Sequence, residues 1–104
     1  VRQARASYEA SVKYQEDAAA RYYTAMLQAY SRARGLLDVL TELESSMAEA
    51  ETTLRALEQR CALGEAPIME YLVERSFYPS LLTNMLEARL DYHQALAELN
   101  AFRL

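Results

Sequence analysis

The sequence of 104 residues predicts an all-α chain folded as one long antiparallel helical hairpin. Three observations lead there. Alanine, leucine, glutamate and arginine dominate the composition, while glycine and proline occur twice each, a balance that favours helix throughout. An apolar or aromatic residue recurs at alternating steps of three and four from Tyr8 to Cys61. A single glycine-proline punctuation, Leu63-Gly64-Glu65-Ala66-Pro67, then interrupts the pattern before it resumes.

The first helix is expected over residues 2–62. Its seam runs Tyr8, Val12, Gln15, Ala19, Tyr22, Met26, Ala29, Ala33, Leu36, Leu40, Leu43, Met47, Ala50, Leu54, Leu57, Cys61. Only Gln15 breaks the apolar character. Spacing that averages 3.5 residues over about seven heptads specifies a helix supercoiled against partners. At about 1.5 Å per residue the seam alone spans roughly 80 Å. Gly35 is the one place where a break is suspected, at a cost of about 1 kcal/mol relative to alanine. The heptad phase passes through it unshifted, from Ala29 and Ala33 to Leu36 and Leu40. Continuity is therefore expected, and a three-helix bundle broken near Gly35 is the alternative.

The turn is expected at residues 63–66. Gly64 suits the left-handed conformation that ends a helix, and Pro67 suits the first turn of the next, where its missing N–H costs nothing. The return helix is expected over 67–103. Its later half repeats the seam as Leu81, Met85, Ala88, Tyr92, Ala95, Leu99 and Phe102. Pro79 falls inside it and is expected to kink or split it. Apolar residues also lie off the seams: Tyr14, Tyr23, Leu27, Tyr30 and Leu37 on the first arm, and Leu82, Leu86 and Leu90 on the second. These widen the apolar face beyond the needs of a two-stranded coil, so each arm is expected to meet neighbours on two sides.

The remaining composition excludes several classes of function. A net charge of −4 with no dense basic run argues against a nucleic-acid partner. Charge is uneven: residues 1–34 carry six basic and three acidic groups, and residues 35–104 five basic and twelve acidic ones. No stretch approaches the roughly 20 apolar residues of a membrane-spanning helix. No signal peptide is visible at Val1, and the chain reads as a piece of something larger.

Candidate chemistry is sparse. Cys61 cannot form an internal disulfide and, at a heptad position, reads as a small core residue. Paired Glu-x-x-His motifs for a di-iron site are missing. In a hairpin turning at Gly64, Cys61 and His93 would lie roughly 40 Å apart along the axis and could not share a metal. No phosphate loop, nucleophile elbow or zinc spacing occurs either, so neither metal, cofactor nor catalytic residue is expected. Glu58, Glu65, Glu70 and Glu74 gather around the turn. They read as a solvated acidic surface or, with several copies about an axis, as a cation-attracting ring.

Two stretches carry a family resemblance. From Leu57 the chain reads Leu-Glu-Gln-Arg-Cys-Ala-Leu-Gly-Glu-Ala-Pro-Ile-Met-Glu-Tyr-Leu, and from Glu87 it reads Glu-Ala-Arg-Leu-Asp-Tyr-His-Gln-Ala-Leu-Ala-Glu-Leu. With the alanine-rich approach from Ala18 to Ala33, these resemble the last helical hairpin of TolC-like outer-membrane efflux factors, especially the CzcC-like heavy-metal branch. The resemblance implies a trimeric outer-membrane duct for metal cations, with this segment in its periplasmic α-barrel. It further implies that Leu63, Gly64 and Glu65 form the tip that meets a periplasmic adaptor protein. Three positions depart from the pattern. Cys61 replaces an aromatic residue before the turn, Ala66 stands where the type member carries a polar or basic residue, and Pro79 interrupts a normally regular helix. A helical coiled-coil adaptor or scaffold that binds partner proteins is the alternative, and membrane strands in flanking sequence would discriminate the two.

Overall fold

The structure, a computed structural model, describes residues 1–102. It is a rod of 94 × 17 × 14 Å built from helices alone. Helix α1 runs from Arg2 to Ala62, α2 from Ile68 to Ser76, and α3 from Tyr78 to Asn100. At about 1.5 Å per residue the 61 residues of α1 account for nearly the whole length of the molecule. The return arm of α2 and α3 folds back along it.

Gly35 lies within α1 and does not interrupt it, which sets aside the bundle broken at that residue. No heavy atom comes within 4 Å of where its Cβ would sit. Gly35 therefore marks no close approach to the return arm. It is a glycine in an open helix position.

The seam zips as the spacing requires. Ala33, Leu40, Met47 and Leu57 of α1 are buried, and so are Met85, Ala88 and Ala95 of α3. Leu40, Met47, Met85 and Ala88 form the central cluster, with Leu43, Tyr78, Leu81, Leu82 and Tyr92 packed on it. Ala95, at 1% exposure, is the most enclosed of these residues. Its small side chain, like those of Ala33 and Ala88, lets the arms approach closely. Yet no large side chain is fully buried among the described residues. Two helices give a core one layer thick, so every large seam residue keeps an edge in water.

Polar contacts hold the register. Arg32 donates to Glu98 at 3.1 Å and Arg89 to Glu44 at 3.4 Å, each bridging the arms. Further out, the Tyr22 and Phe102 rings meet edge to face at 5.4 Å. Partners in each pair lie within about a turn and a half of equal distance along the chain from Gly64, as an antiparallel hairpin requires. Both ion pairs are about half exposed, so each is worth well under about 1 kcal/mol. They select alignment more than they add stability.

The return arm is split, not merely kinked. Helix α2 ends at Ser76, Phe77 (φ −84°, ψ −16°) caps both it and α3, and Pro79 then sits in the first turn of α3. A first-turn proline forfeits no helical hydrogen bond, so the residue expected to break the arm also starts its second half. The arm begins at Ile68, with Pro67 as the extended cap residue just before it (φ −71°, ψ 143°), one step later than expected. The expected end at residue 103 lies outside the described residues, and α3 closes at Asn100.

Beyond Phe102 the seam of α1 has no described partner. Tyr8 is 70% exposed, Gln15 and Ala19 are exposed, and Val12 is only partly covered. Tyr14, Tyr23, Leu27 and Tyr30 are each more than half exposed. The total accessible surface is 8364 Å², against about 6,000 Å² for a compact monomer of this mass.

Two outcomes follow from this architecture. Gly35→Ala is expected to stabilise the hairpin by about 0.5–1 kcal/mol, read from urea denaturation, because a methyl there replaces backbone freedom and meets nothing. A destabilised variant would mean that α1 bends at Gly35 in solution. The 104-residue chain is expected to self-associate into dimers or larger oligomers through the N-terminal half of α1. Sedimentation equilibrium over a concentration series reads this directly, and a strictly monomeric, cooperatively folded species would refute it.

Candidate partner-binding end of the hairpin

The turn is built by backbone hydrogen bonds before any side chain takes part. Glu65 N–H donates to the Arg60 carbonyl at 2.8 Å, and Gly64 N–H to the Cys61 carbonyl at 3.1 Å. That nested pair is the Schellman arrangement, and it places Gly64 at φ +74°. Gly64 is the only residue with positive φ among those described. An L side chain there would face open space but an unfavourable backbone conformation. Leu63 N–H donates to the Gln59 carbonyl at 3.0 Å, which completes the last turn of α1.

All three residues expected at the tip stand together here. Leu63 is 73% exposed, and Gly64 and Glu65 are exposed. An apolar side chain and a carboxylate thus flank a rigid glycine at the extreme end of the rod. Ala66, beside them, is turned inward at 9% exposure. A polar or basic side chain at that position would have to be desolvated. Cys61 is partly covered, and its thiol donates to the Pro67 carbonyl at 3.6 Å. The small sulfur thereby ties the end of α1 to the start of the return arm.

Behind the tip, Tyr78 fixes the start of α3. Its hydroxyl donates to Glu51 Oε1 at 3.0 Å, and the ring packs on the central cluster. This hydrogen bond, with burial and the negative charge of Glu51 adding to it, raises the Tyr78 phenol above its ordinary value near 10. Glu51 also lies 3.9 Å from Arg55 on the next turn of α1. Tyr78 stands three residues before Leu81 and so extends the three-four seam of the return arm by one step beyond where it was read. Its signal is an aromatic residue immediately before Pro79, where a helix restarts and a ring can reach across.

The acidic residues of this end remain separate. Glu58, Glu65, Glu70 and Glu74 are exposed, and none makes an ion pair among the described residues. Glu70 and Glu74 line a shallow groove with Thr52, Ala56, Leu57 and Arg60. No group of three or more histidine, cysteine, aspartate or glutamate side chains is placed to hold a metal ion among the described residues. No described helix is long and apolar enough to cross a membrane. What this end offers is a surface of fixed shape.

The Tyr78 contact makes stability depend on pH in a defined direction. A phenol whose folded value is raised stabilises the fold fully below its unfolded value near 10 and loses that contribution as pH rises through the folded value. Thermal melts from pH 8 to 11.5 are expected to show the native chain losing stability relative to Tyr78→Phe above about pH 10. A difference that stays constant across that range would remove the Glu51 hydrogen bond from the account.

Comparison with protein-family models, with curated proteins and with solved structures finds no match to this chain.

Proposed function

We propose that this chain is a hairpin of the periplasmic α-barrel of an outer-membrane efflux duct, part of a three-component pump that exports metal cations. One observation carries the reading: a two-helix rod 94 Å long leaves apolar stripes bare on both arms while ending in a rigid glycine turn. Bare stripes of that length call for lateral neighbours, and in the duct those are the other hairpins of a trimer. A glycine turn with an exposed leucine and glutamate suits end-on contact with the hairpin of a periplasmic adaptor. Leu63, Gly64 and Glu65 form that contact. Acidic residues around the turn favour cations near the mouth of the conduit. The role is passive, and energy and most substrate choice reside in the inner-membrane partner.

A coiled-coil scaffold that binds partner proteins is the second reading, and the same bare stripes favour it. Gly64→Val in the full-length protein separates the two. A β-branched residue at φ +74° strains the turn by about 1–3 kcal/mol. Export and cross-linking to the adaptor are both expected to fall, with expression and membrane insertion unchanged. Normal export with normal cross-linking would overturn the tip contact, and the complete lack of cation export by the unaltered full-length protein would favour the scaffold.

A further inference from the structure

The outer side of the return arm carries an apolar stripe that the hairpin itself leaves bare. At about 100° per residue, Ile68, Leu72, Met69 and Val73 cover one half of α2, with Phe77 just past its end. Tyr71, on the opposite side, is partly covered. On α3 the stripe continues as Leu86 and Leu90, which lie about 160° round the helix from the buried Ala88. All of these apolar side chains are between 47% and 65% exposed. Over residues 68–90 they extend along roughly 33 Å of the rod. Together they expose on the order of 750 Å², above the usual range for the largest patch on a monomer and close to the roughly 800 Å² per partner of a standard interface. The edges of the stripe carry opposite charge. Glu70 and Arg75 each stand about 110° from the middle of the α2 face, on opposite sides. Glu87 and Arg89 flank Leu86 and Leu90 in the same sense, each about 80° from the middle. Both glutamates thus lie along one edge and both arginines along the other.

We propose that this stripe is a contact between parallel copies of the chain, in which Glu70 and Glu87 of one copy face Arg75 and Arg89 of the next. The charge pattern sets the direction. Two parallel copies meet across a twofold axis running along the rod, which brings the acidic edge of each against the basic edge of the other. In an antiparallel pair the axis lies across the rod and sets like edges together, so glutamate meets glutamate. The same match of unlike edges recurs when parallel copies stand side by side about a ring axis. Offsets along the rod fit as well. Glu87 and Arg89 differ by two residues, about 3 Å, and Glu70 and Arg75 by five, about 7.5 Å. Helical side chains lean toward the N-terminus of their helix, so Arg75 leans toward the level of Glu70 on the other copy. Glu70 and Glu87 make no ion pair among the described residues. Arg89 reaches Glu44 at 3.4 Å yet keeps 46% of its side chain exposed. A uniformly basic or uniformly acidic partner would leave one edge opposed by like charge. The contact is separate from the bare N-terminal seam of α1. It rests on the proposed function only in that hairpins there also run parallel, and it adds which face and which charges lateral neighbours share.

Disulfide trapping in the 104-residue chain reads the direction of pairing. Cys61→Ser removes the native thiol, and Ile68→Cys or Leu90→Cys then places a single thiol at either end of the stripe. Parallel copies bring like positions together, so each variant is expected to form its own disulfide-linked dimer under mild oxidation. In an equimolar mixture, tryptic peptides linked 68 to 68 and 90 to 90 are expected to exceed those linked 68 to 90 by at least about tenfold, because the latter thiols lie roughly 33 Å apart. Predominant 68-to-90 links would mean antiparallel pairing and would overturn the proposal. Failure of both variants to link would give the stripe to a foreign protein or a lipid surface, and would overturn it too. Charge exchange then tests the edges in the Leu90→Cys background. Glu70→Arg sets arginine against arginine, and Arg75→Glu sets glutamate against glutamate. Each alone is expected to slow linking by about fivefold, and mixing the two variants is expected to restore it. Circular dichroism checks that the hairpin is intact, as expected for two exposed positions. Linking indifferent to both changes, or not restored by mixing, overturns the charge match and with it the proposal. These readouts concern copy against copy, so their failure leaves the tip contact to be judged by Gly64→Val.

Discussion

The structure depends on one apolar seam with nothing behind it. Leu40 and Met47 meet Met85 and Ala88 across a single interface, and no third helix closes over them. A hairpin so thin has no second layer to absorb an error. The alanines at 33, 88 and 95 matter for that reason, because larger side chains would force the arms apart and thin the contact further. The Arg32–Glu98 and Arg89–Glu44 bridges act on the same interface from its edges, fixing which layers meet. Even the turn serves it: the nested bonds at Gly64 bring the two arms out of the loop already antiparallel and in phase.

That seam was legible in the sequence because two physical signals coincide along it. Heptad spacing reports a face, and Gly64 with Pro67 reports a reversal. Together they fix which residues oppose one another without any knowledge of side-chain contacts. The continuity of α1 through Gly35 was legible for a related reason, since a break would have reset the phase between Ala33 and Leu36. Pro79 announced a split, though the break itself falls at Phe77, because proline is tolerated within the first turn of a helix and not in its interior.

Helix α2 was not legible. Nine residues are too few for a period to assert itself, and Ile68, Met69, Leu72 and Val73 read equally well as a face turned toward α1. Which way that face points is decided by the turn geometry and by Tyr78 anchoring to Glu51, both of which act from outside the segment. The burial of Ala66 was not legible for the opposite reason. Alanine carries almost no hydropathy signal, and its burial reflects where the loop passes and not what the residue prefers. The residues expected at the tip stand where the sequence placed them, but the larger apolar surface lies beside them, on a helix that spacing rules pass over.

The Schellman turn at Gly64 also bears on how such a rod assembles. Closing a hairpin incurs most of its loop entropy at the first contact, and here that contact spans only the few residues between Cys61 and Pro67. Each later layer, from Tyr78 against Glu51 outward to Phe102 against Tyr22, adds to an end that is already closed. The sequence separation of the paired residues grows steadily, yet no new large loop has to form. A hairpin of this design can close layer by layer from its turn, and its far N-terminal end has no layer of the return arm to close against.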